Sequence, residues 1–140
     1  MDRVAFFGRV YVFDVSTGSL VRTFNDPNAT DSGFGRSIAL FGKVLVVGAP
    51  FDKISASTSG RLYVFGAESG KLKNTLVSPE AGIFGSFGCF GNAVDSTMGR
   101  IIVGDPCQAV NGQPWVGAVY IFSGVVDHGR DDSGSNVNKQ

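Results

Sequence analysis

One six-residue pattern occurs three times along the chain, and no other feature restricts the fold as much. Gly8-Arg9-Val10-Tyr11-Val12-Phe13 returns as Gly60-Arg61-Leu62-Tyr63-Val64-Phe65 and again as Gly117-Ala118-Val119-Tyr120-Ile121-Phe122. A second unit, Phe34-Gly35 through Gly48-Ala49-Pro50, matches Phe90-Gly91 through Gly104-Asp105-Pro106 without a gap. Between the units, Ser16-Thr17-Gly18-Ser19-Leu20 matches Glu68-Ser69-Gly70-Lys71-Leu72, and Pro27 matches Pro79. The spacing is 52 residues for the earlier matches and 56 or 57 for the later ones. The extra residues fall after Pro79 in a Gly-rich stretch, where a surface loop absorbs an insertion. A repeat of this length is one supersecondary unit that cannot bury its apolar faces alone and stacks on its neighbours.

The repeat unit is built of strands. Val outnumbers Leu 18 to 6 and Glu occurs only twice, so the residues that fill helices are scarce. Val and Phe interrupted by 20 glycines favour short strands and tight turns. Nine strands are expected, near 9–15, 19–25, 35–41, 43–49, 60–67, 71–78, 92–96, 100–105 and 117–123. Gly42, Gly99 and the run Glu68-Ser69-Gly70 supply tight turns between them. The 60–67 strand sets Leu62 and Val64 on one face and Tyr63 and Phe65 on the other, so it needs cover on both sides. Four-stranded units covered on both faces by their neighbours describe β-propeller blades. The expected fold is all-β, with blades of four antiparallel strands and about two to two and a half blades present. Repeats lie near 8–59 and 60–116, and a third begins at 117. The polar stretch 125–140 lacks alternation and is expected to be a disordered tail. Closed propellers need about four blades or more, so the chain reads as a segment of a larger propeller or as a truncated gene product.

Phe34-Gly35, Gly48-Ala49-Pro50 and the following Gly60-Arg61-Leu62-Tyr63-Val64-Phe65 together resemble the FG-GAP repeat, the blade motif of the integrin α-chain head and of many secreted or surface bacterial propellers. The resemblance covers about residues 8–124, with Gly104-Asp105-Pro106 departing from the pattern in the second copy. It implies a propeller that binds a partner through loops on one face, and an extracellular or cell-surface location. The N-terminal Met1-Asp2-Arg3-Val4 has no signal-peptide character. Many such blades carry an acidic calcium loop between their first two strands. The matching positions here are Phe41-Gly42-Lys43, without a carboxylate, and the run from Asp95 to Arg100, with only one. Calcium takes about six to eight oxygens, so no metal site is expected, and no cofactor.

Charge and motif content exclude several function classes. The formal net charge is zero, which argues against nucleic acid. The longest apolar runs, such as Ala118–Phe122, fall far short of a membrane span. The only histidine, His128, lies in the tail, as do Asp127, Asp131 and Asp132, and no nucleophile elbow, phosphate loop or metalloprotease helix occurs. The chain is therefore expected not to be an enzyme.

If 92–96 and 100–105 form a hairpin turning at Thr97-Met98, paired residue numbers sum to about 195, and Cys89 and Cys107, which sum to 196, face each other across its open end. They are a candidate disulfide, beside the alternative of two unpaired thiols, and a bridge would favour an oxidising compartment. Asn28-Ala29-Thr30 is a candidate glycosylation sequon.

In an up-and-down meander the connections alternate between two faces. The long ones, 25–34, 50–59, 78–90 and 106–116, all fall on one face, where binding residues concentrate. Candidate ligand contacts there are Trp115, whose alternative is packing against a neighbouring blade, and the patch Phe51, Asp52 and Lys53. The expected role is non-catalytic binding of a protein or carbohydrate partner, with further blades or a second copy covering the end faces. Two alternatives stand beside it. Gly8 through Gly18 also resembles the repeat of quinone-cofactor dehydrogenases, although Phe24 and Leu76 stand near where those repeats place Trp. The other alternative is a structural or non-functional fragment.

Overall fold

The structure is a computed structural model that describes residues 8–54, 59–81, 89–97 and 99–124. The N-terminal Met1–Val4 stretch and the tail with His128 and Asp127, Asp131 and Asp132 lie outside the described residues. Nine antiparallel strands form three sheets, and among the described residues there is no helix. The first sheet pairs β1 (Arg9–Phe13) with β2 (Leu20–Asn25). The second is a complete four-strand meander of β3 (Ser37–Phe41), β4 (Val44–Lys53), β5 (Ser59–Gly66) and β6 (Leu72–Val77). The third contains β7 (Ala93–Thr97), β8 (Arg100–Asp105) and β9 (Ala118–Ser123). These are one four-strand blade between two partial ones, in the order expected of propeller blades.

The recurrent strand explains how the sheets stack. Alternation along β5 sends Tyr63 and Phe65 to one face, where they join Phe34, Leu45 and Val47 of their own sheet and Val10 and Phe24 of the first sheet in one buried cluster. Leu62 and Val64 face the other way, with Val44 and Val46, onto Phe90, Ile101 and Val103 of the third sheet. The middle sheet is thus apolar on both faces because it is buried on both. The two Phe-Gly phenylalanines take the same place in successive blades. Phe34 lies 5.8 Å from the Tyr63 ring and 6.1 Å from that of Phe65, and Phe90 lies 5.8 Å from Tyr120 and 5.9 Å from Phe122.

The glycine that opens the recurrent strand has a steric reason. A Cβ on Gly8 would stand 1.9 Å from the Phe34 carbonyl oxygen, and one on Gly60 would stand 2.4 Å from that of Phe90. At both junctions the glycine of one blade is therefore the seat for the Phe-Gly backbone of the next.

The structure changes two details of the sequence reading. Strand β4 does not end at Ala49 but runs on to Lys53, which pairs with Ser59 after a register shift beyond Ala49. Pro50, which has no N–H to give a ladder, falls within the irregular stretch rather than at a strand end. Phe51, Asp52 and Lys53 consequently lie on a strand and not in a long loop. In the third sheet Ala93 opposes Gly104 and Thr97 opposes Arg100. Paired numbers thus sum to 197, and the hairpin reverses between Thr97 and Arg100, its centre one place later than expected.

Candidate functional site

The meander puts the connections 26–36 and 106–117, with the end of β4, the start of β5 and the end of β6, on one side of the sheets and the short turns on the other. On the long-connection side, where the middle and third sheets meet, an open groove of about 510 Å³ is lined by Gly33, Phe34, Gly35, Arg36, Phe51 and Asn92. Gly33 and Gly35 have φ of +69° and +89°, in the region that favours glycine, and Gly35 N–H donates to the Gly48 carbonyl at 3.0 Å.

Arg36 follows the Phe-Gly pair directly. Its Nε donates to Asn92 Oδ1 at 3.0 Å, and its guanidinium carbon sits 5.9 Å from the centre of the Phe51 ring. Asn92 follows the second Phe-Gly pair, so two equivalent repeat positions meet across the blade junction. The Phe51 ring rests against Gly33, where a Cβ would stand 2.9 Å from Phe51 Cδ2. Among the described residues no carboxylate lies within ion-pair distance of Arg36. The arrangement holds one guanidinium in place by its Nε and leaves its terminal nitrogens directed by that anchor, as in forks that take a carboxylate.

Asp52 does not belong to this surface. Its side chain is buried and accepts hydrogen bonds from Asn28 Nδ2 at 3.0 and 3.1 Å and from the Tyr63 hydroxyl, with Arg61 Nε at 3.9 Å. The Tyr63 hydroxyl is pushed above its ordinary pKa by burial first and by the Asp52 carboxylate second. Asp52 is therefore an anchor within the fold. Phe51 and Lys53, on either side of it along the strand, point outward. The sequon nitrogen of Asn28 is the atom that bridges to Asp52. Trp115 is exposed, with φ +62° in the connection between β8 and β9, and lies outside the Arg36 groove.

Cys89 and Cys107 form a disulfide with Cα atoms 5.3 Å apart, tying the entry to β7 to the exit from β8. Beside it Asp105 is fully buried and accepts the Cys89 N–H at 2.8 Å, while its Oδ2 has no hydrogen-bond partner. Burial holds its carboxyl above the usual carboxylate range. Among the described residues no group of three His, Cys, Asp or Glu side chains is placed to hold a metal ion.

The family model of the FG-GAP repeat matches residues 23–65. The chain carries an FG-GAP repeat. The match runs from within β2 to the end of the aromatic stretch of β5 and so spans the junction of the first two blades, including Phe34, Gly35, Arg36 and Phe51. No curated protein matches the chain. Sequence reasoning found Phe51 but missed Arg36 and Asn92. The available signal was their shared position immediately after each Phe-Gly pair.

Proposed function

We propose that this propeller segment is a non-catalytic binding module that takes an acidic side chain of a protein partner in the groove between Phe51 and Arg36. The observation that carries the reading is the Arg36 guanidinium, held by Asn92 and Phe51 on the side of the long connections, with no carboxylate among the described residues within ion-pair distance. A protein partner fits better than a carbohydrate. Sugars are bound by stacking on an open aromatic face, whereas the Phe51 ring already has the Arg36 guanidinium over it and Gly33 against it. FG-GAP repeats are typical of extracellular proteins, and the Cys89–Cys107 bridge suits an oxidising compartment. Among the described residues no helix is long and apolar enough to cross a membrane.

The test is selection of displayed random peptides on the immobilised chain, with Arg36→Glu as the counter-target. Enriched peptides should carry Asp or Glu, bind the wild type and lose about tenfold or more against the variant. Peptides that bind both proteins equally, or a selection yielding none, would refute the reading. Preferential capture of neutral glycans by the wild type would replace the protein partner with a carbohydrate.

A further inference from the structure

The turn that carries Asn92 begins at the disulfide. Asn92 N–H donates to the Cys89 carbonyl at 3.0 Å, closing a four-residue turn over Phe90 and Gly91. Cys89 opens that turn and is tied twice to the end of β8, by the bridge to Cys107 and by its N–H, which donates to Asp105 Oδ1 at 2.8 Å. Phe90 is fully buried with its backbone against Gly60, and the Gly91 carbonyl accepts the Ser37 hydroxyl at 2.7 Å. The turn ends at Asn92, whose Oδ1 accepts the Arg36 Nε–H at 3.0 Å. Four consecutive residues therefore join the bridge to the one side-chain atom that orients the guanidinium.

The first Phe-Gly turn is closed in the same way, with Arg36 N–H donating to the Gly33 carbonyl at 3.0 Å. Its corner is packed by the Phe51 ring on Gly33, and Gly35 N–H reaches the Gly48 carbonyl at 3.0 Å. In the second turn the disulfide stands in place of that packing, and the Gly91 N–H to Gly104 bond is longer at 3.3 Å. The turn that holds Arg36 thus relies on a covalent tie where its counterpart relies on an aromatic ring.

We propose that the Cys89–Cys107 disulfide sets the Arg36 groove, so that the groove grips a carboxylate with the bridge closed and loses that grip when a dithiol opens it. The carboxylate is that of the binding reading above, on which this consequence rests, whereas the link from the bridge to Arg36 stands without it. Opening takes two electrons and two protons from the dithiol, which closes to its own disulfide while Cys89 and Cys107 become thiols. Asn92 Oδ1 then loses its fixed place against Arg36 Nε, and the guanidinium turns more freely over the Phe51 ring. An arginine fork binds a carboxylate well because its orientation is set beforehand. The redox state of the surroundings is thereby the regulator of the site.

Heteronuclear NMR of the Arg36 Nε–H in the 140-residue chain reads the link without any ligand, with Arg36→Lys assigning the signal. Exchange of this proton with water should rise about fivefold or more when dithiothreitol reduces the bridge, and equally in Cys89→Ser with Cys107→Ser. Oxidised Asn92→Ala should show the same rise, and reducing it should add nothing. Asn92→Asp keeps the acceptor and should retain the protection. The amide shifts of Val46 and Val64 in the middle sheet should stay native throughout. Titration with N-acetyl-aspartyl amide, followed on the same signal, should show the reduced chain binding about fivefold or more weakly. Unchanged exchange on reduction overturns the inference, as does a further rise on reducing Asn92→Ala. Loss of the native Val46 and Val64 shifts on reduction also overturns it, because the bridge would then hold the whole fold and not this turn. A probe that moves the Arg36 signal in neither redox state refutes the binding reading, while redox-dependent exchange still supports the link from the bridge to Arg36.

Discussion

Replacing Gly60 with Ala is expected to open the junction between the middle and third sheets. The position combines two costs that the structure separates. Its φ of +110° is strained for any residue with a Cβ, at about 1–3 kcal/mol. The added Cβ would also stand 2.4 Å from the Phe90 oxygen, 2.5 Å from its nitrogen and 2.8 Å from its Cβ. Backbone cannot swing aside as a flexible side chain does, so the sheets must separate by about 1 Å, enough to forfeit a quarter to a half of each dispersion contact across the gap. Phe90, fully buried at that point, anchors the cluster that the separation would loosen. With complete loss of a buried Phe costing about 3–5 kcal/mol, a partial opening adds about 1–2. Gly60→Ala should therefore lose roughly 2–5 kcal/mol in urea unfolding, a large share of a domain's usual stability.

Two comparisons isolate the parts. Gly42 has φ +56° and open space around its Cβ position, so Gly42→Ala should show only the conformational cost, about 1–2 kcal/mol. Gly48 has no positive φ but would place its Cβ 2.1 Å from the Gly91 oxygen, so Gly48→Ala should show the overlap alone. Equal losses in Gly60→Ala and Gly42→Ala, within the error of the unfolding curves, would refute the seat argument.

The intact chain should take up no alkylating agent without reductant and two alkyl groups after reduction, reporting the Cys89–Cys107 bridge. Its loss in Cys89→Ser with Cys107→Ser should cost about 3 kcal/mol, given the 18-residue separation. Asp105→Asn should raise the melting temperature at neutral pH. A carboxyl whose folded pKa is raised contributes stability below its unfolded pKa and loses it as pH rises through the folded value. The gain should shrink as pH falls and disappear below about pH 4, as thermal melts across pH would show. Millimolar calcium should leave the melting temperature unchanged, and a clear rise would place acidic ligands where the hairpin turns have almost none.

The strands were legible because each is short, apolar in alternation and bounded by glycine, and because the repeat confirmed every assignment in a second place. The disulfide pairing followed from hairpin register even though the turn was set one residue early, since a shift of that size keeps Cys89 and Cys107 near each other. The end of β4 was not legible. Pro50 and the charged pair Asp52 and Lys53 have the composition of a loop, and what keeps them in the sheet is contact from far along the chain. Tyr63 comes from the neighbouring strand and Asn28 from the preceding connection, and both spend their polar atoms on Asp52. A buried carboxylate held by distant donors leaves no mark in its local sequence. Arg36 was missed for a different reason. An arginine beside a glycine reads as an ordinary surface charge until the position of Asn92 across the junction is known.

The two junctions keep one polar bridge while exchanging its chemistry. At the first, Asn28 Nδ2 donates to the Asp52 carboxylate. At the second, the matching positions hold Glu80 and Gln108, and Gln108 Nε2 donates to Glu80 Oε2 at 2.9 Å. The amide and the carboxylate have changed sides. The turn that positions the first partner is built alike in both, with Asp26 Oδ1 accepting the Asn28 N–H at 2.9 Å and Ser78 Oγ accepting the Glu80 N–H at 3.2 Å. A buried polar atom needs a partner but not a particular one, so complementarity across the junction is the constraint and residue identity at each position is free. The disulfide follows the same rule. Cys89 and Cys107 occupy the positions of Gly33 and Phe51, where the Phe51 ring lies against the glycine. One blade closes its outer corner by packing an aromatic ring and the other by a covalent bond. The Phe51 solution leaves a ring for Arg36 to lie against, and the disulfide solution leaves none. That difference, together with Asn92 standing where the first pair has Arg36, puts the guanidinium groove at the first Phe-Gly pair and not at the second.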